Sequence, residues 1–347
     1  MEPKSRLKIA FTVIGVALAS LAIFGTALSL FALLATHRRP FHVAIGPPPP
    51  ITAENIPIPL ETWTVHGKGA LPEIHVPFQL SSSGNIVITA RINGKLVRCW
   101  IDTGCSDILW DSKLALTNRR TGLQTSAHDG GNHTVGLQEA ILDRVEIGGL
   151  KLRQMPSEAV VSEASQMNSV IILGNSVFSH TVLTIDYAKR ELVIRSSSPK
   201  QKLLAQRDGD HILDFSWRVP NARGRFGSPY IRGSVMSLPA NIMVDTGWGG
   251  GGPTLALSRI FYDRVLPNLK RSRNKTGQAV GGWTFGTSQI TTLSRISWSF
   301  GGIEMTSSAC ILEGIPPEEQ AILGYDILRH FKTTIDYPHQ KIRFQPN

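Results

Sequence analysis

The sequence predicts a mostly β protein of two similar lobes, preceded by one N-terminal transmembrane helix. Three observations predict it. A series of short motifs recurs in the same order in both halves of the chain. Short apolar runs alternate with Gly, Asn and Asp turns, and 32 glycines and 21 prolines suit short strands better than long helices. Residues 9–36 carry no charged side chain.

The charge-free run comes first. As a helix rising about 1.5 Å per residue it is roughly 42 Å long, against a hydrocarbon core of ~30 Å, so it spans with tilt. Lys4, Arg6 and Lys8 precede it and Arg38 and Arg39 follow, a slight bias toward a cytoplasmic N-terminus. A cleaved signal peptide has a shorter apolar region, ~7–15 residues. Ala27 and Ser29 keep a cleavage site open, but an uncleaved anchor is the expectation. Residues 1–40 are thus read as a cytoplasmic stub and anchor of a single-pass membrane protein whose bulk lies on the extracytoplasmic side. Residues 41–75 form a Pro-rich linker with Pro47 to Pro50, Pro57 and Pro59. Such a segment favours stiff polyproline II, about 3.1 Å per residue.

The repeat organises the rest. VRCWIDTG ends at Gly104 and ANIMVDTG at Gly247. IILGNSVFSHTVLTIDYAKRELVI is answered by AILGYDILRHFKTTIDYPHQKIRF, which matches Gly174 to Gly324 and Asp186-Tyr187 to Asp336-Tyr337. Between these anchors Gly130-Gly131 matches Gly281-Gly282, and Gly148-Gly149 matches Gly301-Gly302. The boundary falls in the polar stretch from Ser196 to Asp210, dividing the chain into lobes at 76–200 and 201–347. Asn85–Ile92 and Lys95–Ile101 read as strands around an Asn93-Gly94 turn, a hairpin signal. Leu183–Ile185 and Glu191–Ile194 read as a second pair, and the segment after each Ile-Leu-Gly reads as one short helix.

Composition excludes several classes. The net charge of +10 is compatible with polyanions, but the one compact cluster is Lys270, Arg271, Arg273 and Lys275, read as a solvated loop. No zinc-knuckle spacing or aromatic RNA-binding signature accompanies it, so nucleic acid is set aside. Three cysteines, Cys99, Cys105 and Cys310, make no disulfide framework, although one bridge stays open. His128, Asp129 and His133 fall where the repeat puts a mobile flap, have no further ligand beside them, and read as loop residues. Cys105 has no histidine placed beside it by the repeat and is not read as a nucleophile.

The chemistry lies in the duplicated Asp-Thr-Gly. An apolar strand delivers an aspartate at its end, a hydroxyl follows, and glycine lets backbone approach the carboxylate. One copy reads equally well as an Asx turn. Two copies at equivalent places in two repeats, packed about a pseudo-two-fold axis, put Asp102 and Asp245 face to face. Such a pair shares a proton and titrates as a unit. One member acts as acid while the other acts as base. Asp186 and Asp336 are also duplicated but lack the Thr-Gly, and a turn or capping role is expected of them.

Over roughly residues 76–347, both halves resemble retropepsin-type aspartic protease lobes: apolar-Asp-Thr-Gly, a glycine-rich flap, then Ile-Leu-Gly. The two-lobed single chain is similar to pepsin-like enzymes, and its short lobes resemble a fused retroviral-type dimer. The resemblance implies acid-protease-like β-barrel lobes, a pseudo-two-fold axis and an aspartic endopeptidase that needs no cofactor and no metal. It implies that Asp102 and Asp245 are catalytic, and the paired aspartates of such enzymes are the standard example of a shared proton. Thr103 and Thr246 would tie the two aspartate loops together, with Gly104 and Gly247 beside them and Gly174 and Gly324 beneath. Gly130, Gly131, Gly281 and Gly282 are the candidate flap tips, and Trp283 a candidate wall of a substrate pocket. Peptide or protein is the implied substrate, and a single chain completes the site without a homodimer. Cys105 and Trp248 depart from the Ser, Thr or Ala common after Asp-Thr-Gly. They favour a second reading, a peptide-binding module that keeps the fold without the activity.

Overall fold

The computed structural model describes residues 73–117, 119–128, 133–161, 170–197, 208–217, 227–249, 253–271, 276–282, 287–315 and 320–347. All belong to one compact unit, Ile51–Asn347. The expected anchor lies outside the described residues. Among the described residues, no helix is long and apolar enough to cross a membrane.

The first half supplies β1 (Ile74–Pro77), β2 (Gln79–Leu80), β3 (Ile86–Ile92), β4 (Lys95–Ile101), β5 (Ile108–Asp111) and β6 (Arg120–His128). It continues with β7 (Thr134–Ile147), β8 (Leu150–Val160), β9 (Ile171–Leu173), β10 (Thr181–Asp186) and β11 (Glu191–Ser196). In the second half come β12 (His211–Trp217), β13 (Pro229–Val235), β14 (Leu238–Val244), β15 (Leu255–Ser258) and α1 (Arg259–Arg271). Then follow β16 (Thr276–Gly282), β17 (Thr287–Phe300), β18 (Ile303–Leu312), β19 (Ala321–Leu323), α2 (Tyr325–Leu328), β20 (Phe331–Asp336) and β21 (Lys341–Pro346).

Each half closes a barrel in the same way. In the first, the order β3-β4-β9-β5-β8-β7 returns to its start because β7 also pairs with β3. In the second, β13-β14-β19-β15-β18-β17 closes through β17 on β13. Alternation drives the first turn of the barrel: Ile86, Ile88, Ala90 and Ile92 of β3 point into the core, as a strand with a period of two requires. Asn93 and Gly94 turn this hairpin with φ of 46° and 84°, the left-handed pair that a tight two-residue turn demands.

Between the barrels runs a sheet in the order β1-β11-β10-β20-β21-β12, three strands from each half. Its central pair is antiparallel β10 and β20, with Thr184 opposite Thr334. Their hydroxyl oxygens lie 3.0 Å apart, which puts the pseudo-two-fold axis between them. One apolar core continues through both halves and across this sheet, from Ile86 and Trp110 to Phe300 and Phe344.

The turns after β10 and β20 show what the second aspartate pair does. Asp186 Oδ1 accepts the Lys189 N–H at 3.0 Å, and Asp336 Oδ1 accepts the His339 N–H at 3.3 Å, the turn role expected of them. A 3-10 turn (Asn175–Val177) and α2 follow the two Ile-Leu-Gly segments, as expected. Helix α1 has no counterpart in the sequence reading. Pro267 sits inside it and costs roughly 3 kcal/mol in a helix interior. Phe261, Val265 and Leu269 nevertheless bury one stripe against the core, and that packing prevails. All three cysteines are free thiols, so the bridge that the sequence left open is absent.

Candidate active site

Parallel pairing builds the site. β4 lies beside β9 with Ile101 opposite Leu173, and β14 beside β19 with Val244 opposite Leu323. Asp102 and Asp245 are the next residues, and their N–H groups donate to Leu173 O and Leu323 O at 3.1 and 3.0 Å. The apolar strand of each motif thus ends at an aspartate beside the Ile-Leu-Gly of its own half. Gly174 and Gly324 lie under the loops. A Cβ at Gly174 would come under 3.0 Å from the backbone of Cys105 and Asp107, and one at Gly324 would do the same against Trp248.

The two threonines strap the loops together. Thr103 Oγ1 donates to Val244 O at 2.7 Å and accepts the Thr246 N–H at 3.0 Å. Thr246 Oγ1 donates to Ile101 O at 2.8 Å and accepts the Thr103 N–H at 3.0 Å. Both side chains are fully buried, so these four bonds work without competition from water.

The strap brings the carboxyl groups of Asp102 and Asp245 into hydrogen-bond contact. Each carboxylate accepts two backbone N–H groups of its own loop. Gly104 and Cys105 donate to Asp102 Oδ1 at 2.8 and 3.1 Å, and Gly247 and Trp248 to Asp245 Oδ1 at 2.7 and 3.2 Å. Each glycine also faces the opposite carboxylate: a Cβ on Gly104 would lie 2.5 Å from Asp245 Cγ. Glycine is required here by close approach, since a methyl group would push the pair apart.

Burial pushes both carboxyl groups above the ordinary aspartate range. Asp245 goes well above it, raised further by the Asp102 charge, while Asp102 is held down in part by its hydrogen bond to Asp245. Two carboxyls in contact, half-buried and largely shielded from water, hold one proton between them over a broad pH range. The arrangement supplies an acid and a base within reach of one small molecule.

Cys105 and Trp248 occupy equivalent positions with different consequences. The Cys105 thiol lies 3.3 Å from Asp107 O, and the side chain packs against an apolar cluster that includes Leu109 and Val135. Burial, with Asp102 next to it, pushes this thiol well above its usual range, which disfavours the nucleophilic thiolate. The Trp248 indole N–H donates to Pro253 O at 3.4 Å, and the ring packs against a cluster that includes Met243, Ala256 and Ile322.

Three residues reach this site that sequence reasoning did not single out. Asn175 Nδ2 contacts Thr103 O, Cys105 O and Gly227 O at 2.8, 2.9 and 3.0 Å. The Tyr337 hydroxyl donates to Asn175 Oδ1 at 2.9 Å, and Ser228 Oγ donates to Gly104 O at 2.9 Å. The one sequence signal was a mismatch, Asn175 against Tyr325 immediately after the matched glycines.

The flap candidates are less fully placed. Gly281 and Gly282 end β16, opposite Ser288 and Thr287 of β17. Gly130, Gly131 and Trp283 lie outside the described residues, as does Asp129.

Residues 88–180 match a family model described as gag-polyprotein putative aspartyl protease. Among solved structures, an aspartic proteinase from Irpex lacteus aligns with a TM-score of 0.53 and 10% sequence identity, over 80% of this chain and 98% of that one. Basic 7S globulin from soybean aligns with a TM-score of 0.45 and 11% identity, over 79% of this chain and 94% of that one. A search of curated proteins finds no match.

Proposed function

We propose, for a chain that has the two-lobed aspartic-protease fold and whose first lobe matches the aspartyl protease family, that Asp102 and Asp245 hydrolyse peptide bonds with one water between them. The observation that carries this is the carboxyl pair itself, in mutual hydrogen-bond contact, fed by four backbone N–H groups and fixed by the threonine strap.

The chemistry balances with no other reactant. The ionised aspartate takes a proton from water as the oxygen attacks the scissile carbonyl carbon. The protonated aspartate hydrogen-bonds the carbonyl oxygen and transfers its proton to it, giving a neutral tetrahedral diol. Collapse returns one hydroxyl proton to the second aspartate. The first gives its proton to the departing nitrogen, the C–N bond breaks, and the pair again holds one proton. General acid–base catalysis of this kind contributes typically about 10²–10⁴-fold.

The substrate in this reading is an extended peptide or unfolded protein segment lying across the loops, under β16–β17 and its counterpart β6–β7. Both aspartates come from one chain, so a monomer suffices. The charge-free run at 9–36 supports a form tethered to a membrane, with the lobes on the extracytoplasmic side. The alternative, a peptide-binding module without activity, draws on Cys105 and Trp248, since neither offers a hydroxyl to the neighbouring aspartate.

The test uses the full chain incubated with denatured protein from acid to neutral pH, beside Asp102→Asn and Asp245→Asn. Cleavage by the wild type and loss of at least about 10²-fold in each variant is the expected result. Cleavage retained by either variant refutes the shared pair. Peptide binding without cleavage at any pH establishes the binding-module reading instead.

A further inference from the structure

The repeat puts the two aspartate loops in equivalent places, yet their supports differ. In a planar trans peptide the C=O and N–H point in opposite directions. Thr103 O and the Gly104 N–H share one such plane; Gly104 O and the Cys105 N–H share the next. Both N–H groups face Asp102 Oδ1. From the far side Asn175 donates to Thr103 O and Ser228 to Gly104 O, at 2.8 and 2.9 Å. Each peptide is therefore gripped at its oxygen while its N–H is aimed at the carboxylate. Asn175 is fully buried and is itself oriented by the Tyr337 hydroxyl. A donor on the carbonyl also polarises the peptide, strengthening its N–H as a donor by about 10–30%.

The Asp245 loop has the same two N–H donors from Gly247 and Trp248, but a different backing. By the repeat, Tyr325 stands at the Asn175 position, Asn85 at that of Ser228, and Tyr187 at that of Tyr337. Tyr325 packs edge-on to Tyr187, ring centroids 5.6 Å apart, and beneath Gly84. The Tyr187 hydroxyl and Asn85 Oδ1 are buried without a hydrogen-bond partner among the described residues. Among the described residues, no side chain donates to Thr246 O or Gly247 O. One loop is thus held by hydrogen bonds at its carbonyls and the other by aromatic packing.

We propose that Asn175, Ser228 and Tyr337 are positioning residues that make Asp102 the ionised member of the pair and leave the shared proton on Asp245. The mechanistic consequence rests on the proposed hydrolysis: Asp102 takes the proton from water and Asp245 donates to the scissile carbonyl oxygen. The nearest other titratable groups do not compete. Cys105, close to Asp102, Asp107 and Glu158, and Tyr187, close to Tyr325 and Asp245, are both pushed up by burial and stay neutral.

The assignment is tested by carboxyl ¹³C NMR of the full chain labelled at aspartate, titrated without substrate, with Asp102→Asn and Asp245→Asn identifying the two signals. The pair titrates in two steps, and the Asp102 signal follows the lower one. Ser228→Ala raises that step by roughly 0.2–0.7 pH unit, the loss of one polarising bond behind a charged acceptor. Tyr337→Phe moves it the same way, whereas Tyr187→Phe, which removes the equivalent hydroxyl of the other half, leaves it in place. An Asp245 signal following the lower step overturns the proposal, and so does a lower step unmoved by Ser228→Ala. Ser228 makes a single bond to the loop where Asn175 makes three contacts, so this variant decides the matter even where a change at Asn175 prevents folding. No substrate is involved: an inactive protein can pass this test, and a protein that cleaves peptide can fail it.

Discussion

The threonine strap makes the most direct energetic prediction. Thr246→Val keeps the shape of the side chain and removes its oxygen. The Thr103 N–H loses its acceptor and Ile101 O loses a donor, bonds of 3.0 and 2.8 Å in a site sealed from water. Thr103→Val does the same to the Thr246 N–H and Val244 O. Each buried group left unsatisfied costs about 1–3 kcal/mol, so each variant is expected to lose about 2–6 kcal/mol. That is a large share of a typical stability of about 5–15 kcal/mol. Urea unfolding of the full-length chain, followed by tryptophan fluorescence, should show a lower midpoint at unchanged slope. The reciprocal geometry also requires the two variants to agree within about 1 kcal/mol, since each breaks one donor and one acceptor bond of equal kind. A loss below about 1 kcal/mol in either, or a wide disparity between them, would refute the reasoning that the strap is symmetric and dry.

Two further predictions concern the aspartates. Gly104→Ala and Gly247→Ala each put a methyl group under 3.0 Å from the opposite carboxylate. Each should cost about 1–3 kcal/mol by overpacking and, by misplacing the pair by about 1 Å, reduce hydrolysis roughly 10²-fold; a variant with wild-type turnover would contradict the close approach. Asp245→Asn should stabilise the protein at pH 7. Burial raises both carboxyl groups, so from about 3.9, the ordinary aspartate value, up to the raised values the folded state binds more protons than the unfolded. Stability then falls as pH rises through that window. The variant, with no such proton to lose, gains on the wild type as pH increases and the difference closes near pH 4. Urea midpoints at pH 4 and 7 measure it, and an equal or lower midpoint at pH 7 counts against a desolvated pair.

What could be read in the sequence was local or duplicated. The Asn93-Gly94 hairpin was legible because two residues supply the left-handed φ values of the turn. The aspartate pair was legible because each copy of Asp-Thr-Gly ends an apolar strand and the copies recur in register with Ile-Leu-Gly. The turn roles of Asp186 and Asp336 followed from what their motifs lacked. Helix α1 was hidden by Pro267, whose local penalty gives no hint of the apolar stripe that outweighs it. The network behind Asp102 was hidden by distance along the chain: Asn175 reaches Thr103 across 72 residues, Ser228 reaches Gly104 across 124, and Tyr337 reaches Asn175 across 162.

By itself, then, the sequence determined that two like lobes exist and that Asp102 and Asp245 occupy equivalent places in them, because a repeat written in the residues needs no coordinates to be seen. Only the tertiary structure decided that the two places are not the same. Equivalence under a pseudo-two-fold axis is broken by whichever side chains the rest of the chain folds in behind each loop. Hydrogen bonds from Asn175 and Ser228 stand behind one aspartate, and the rings of Tyr325 and Tyr187 stand behind the other.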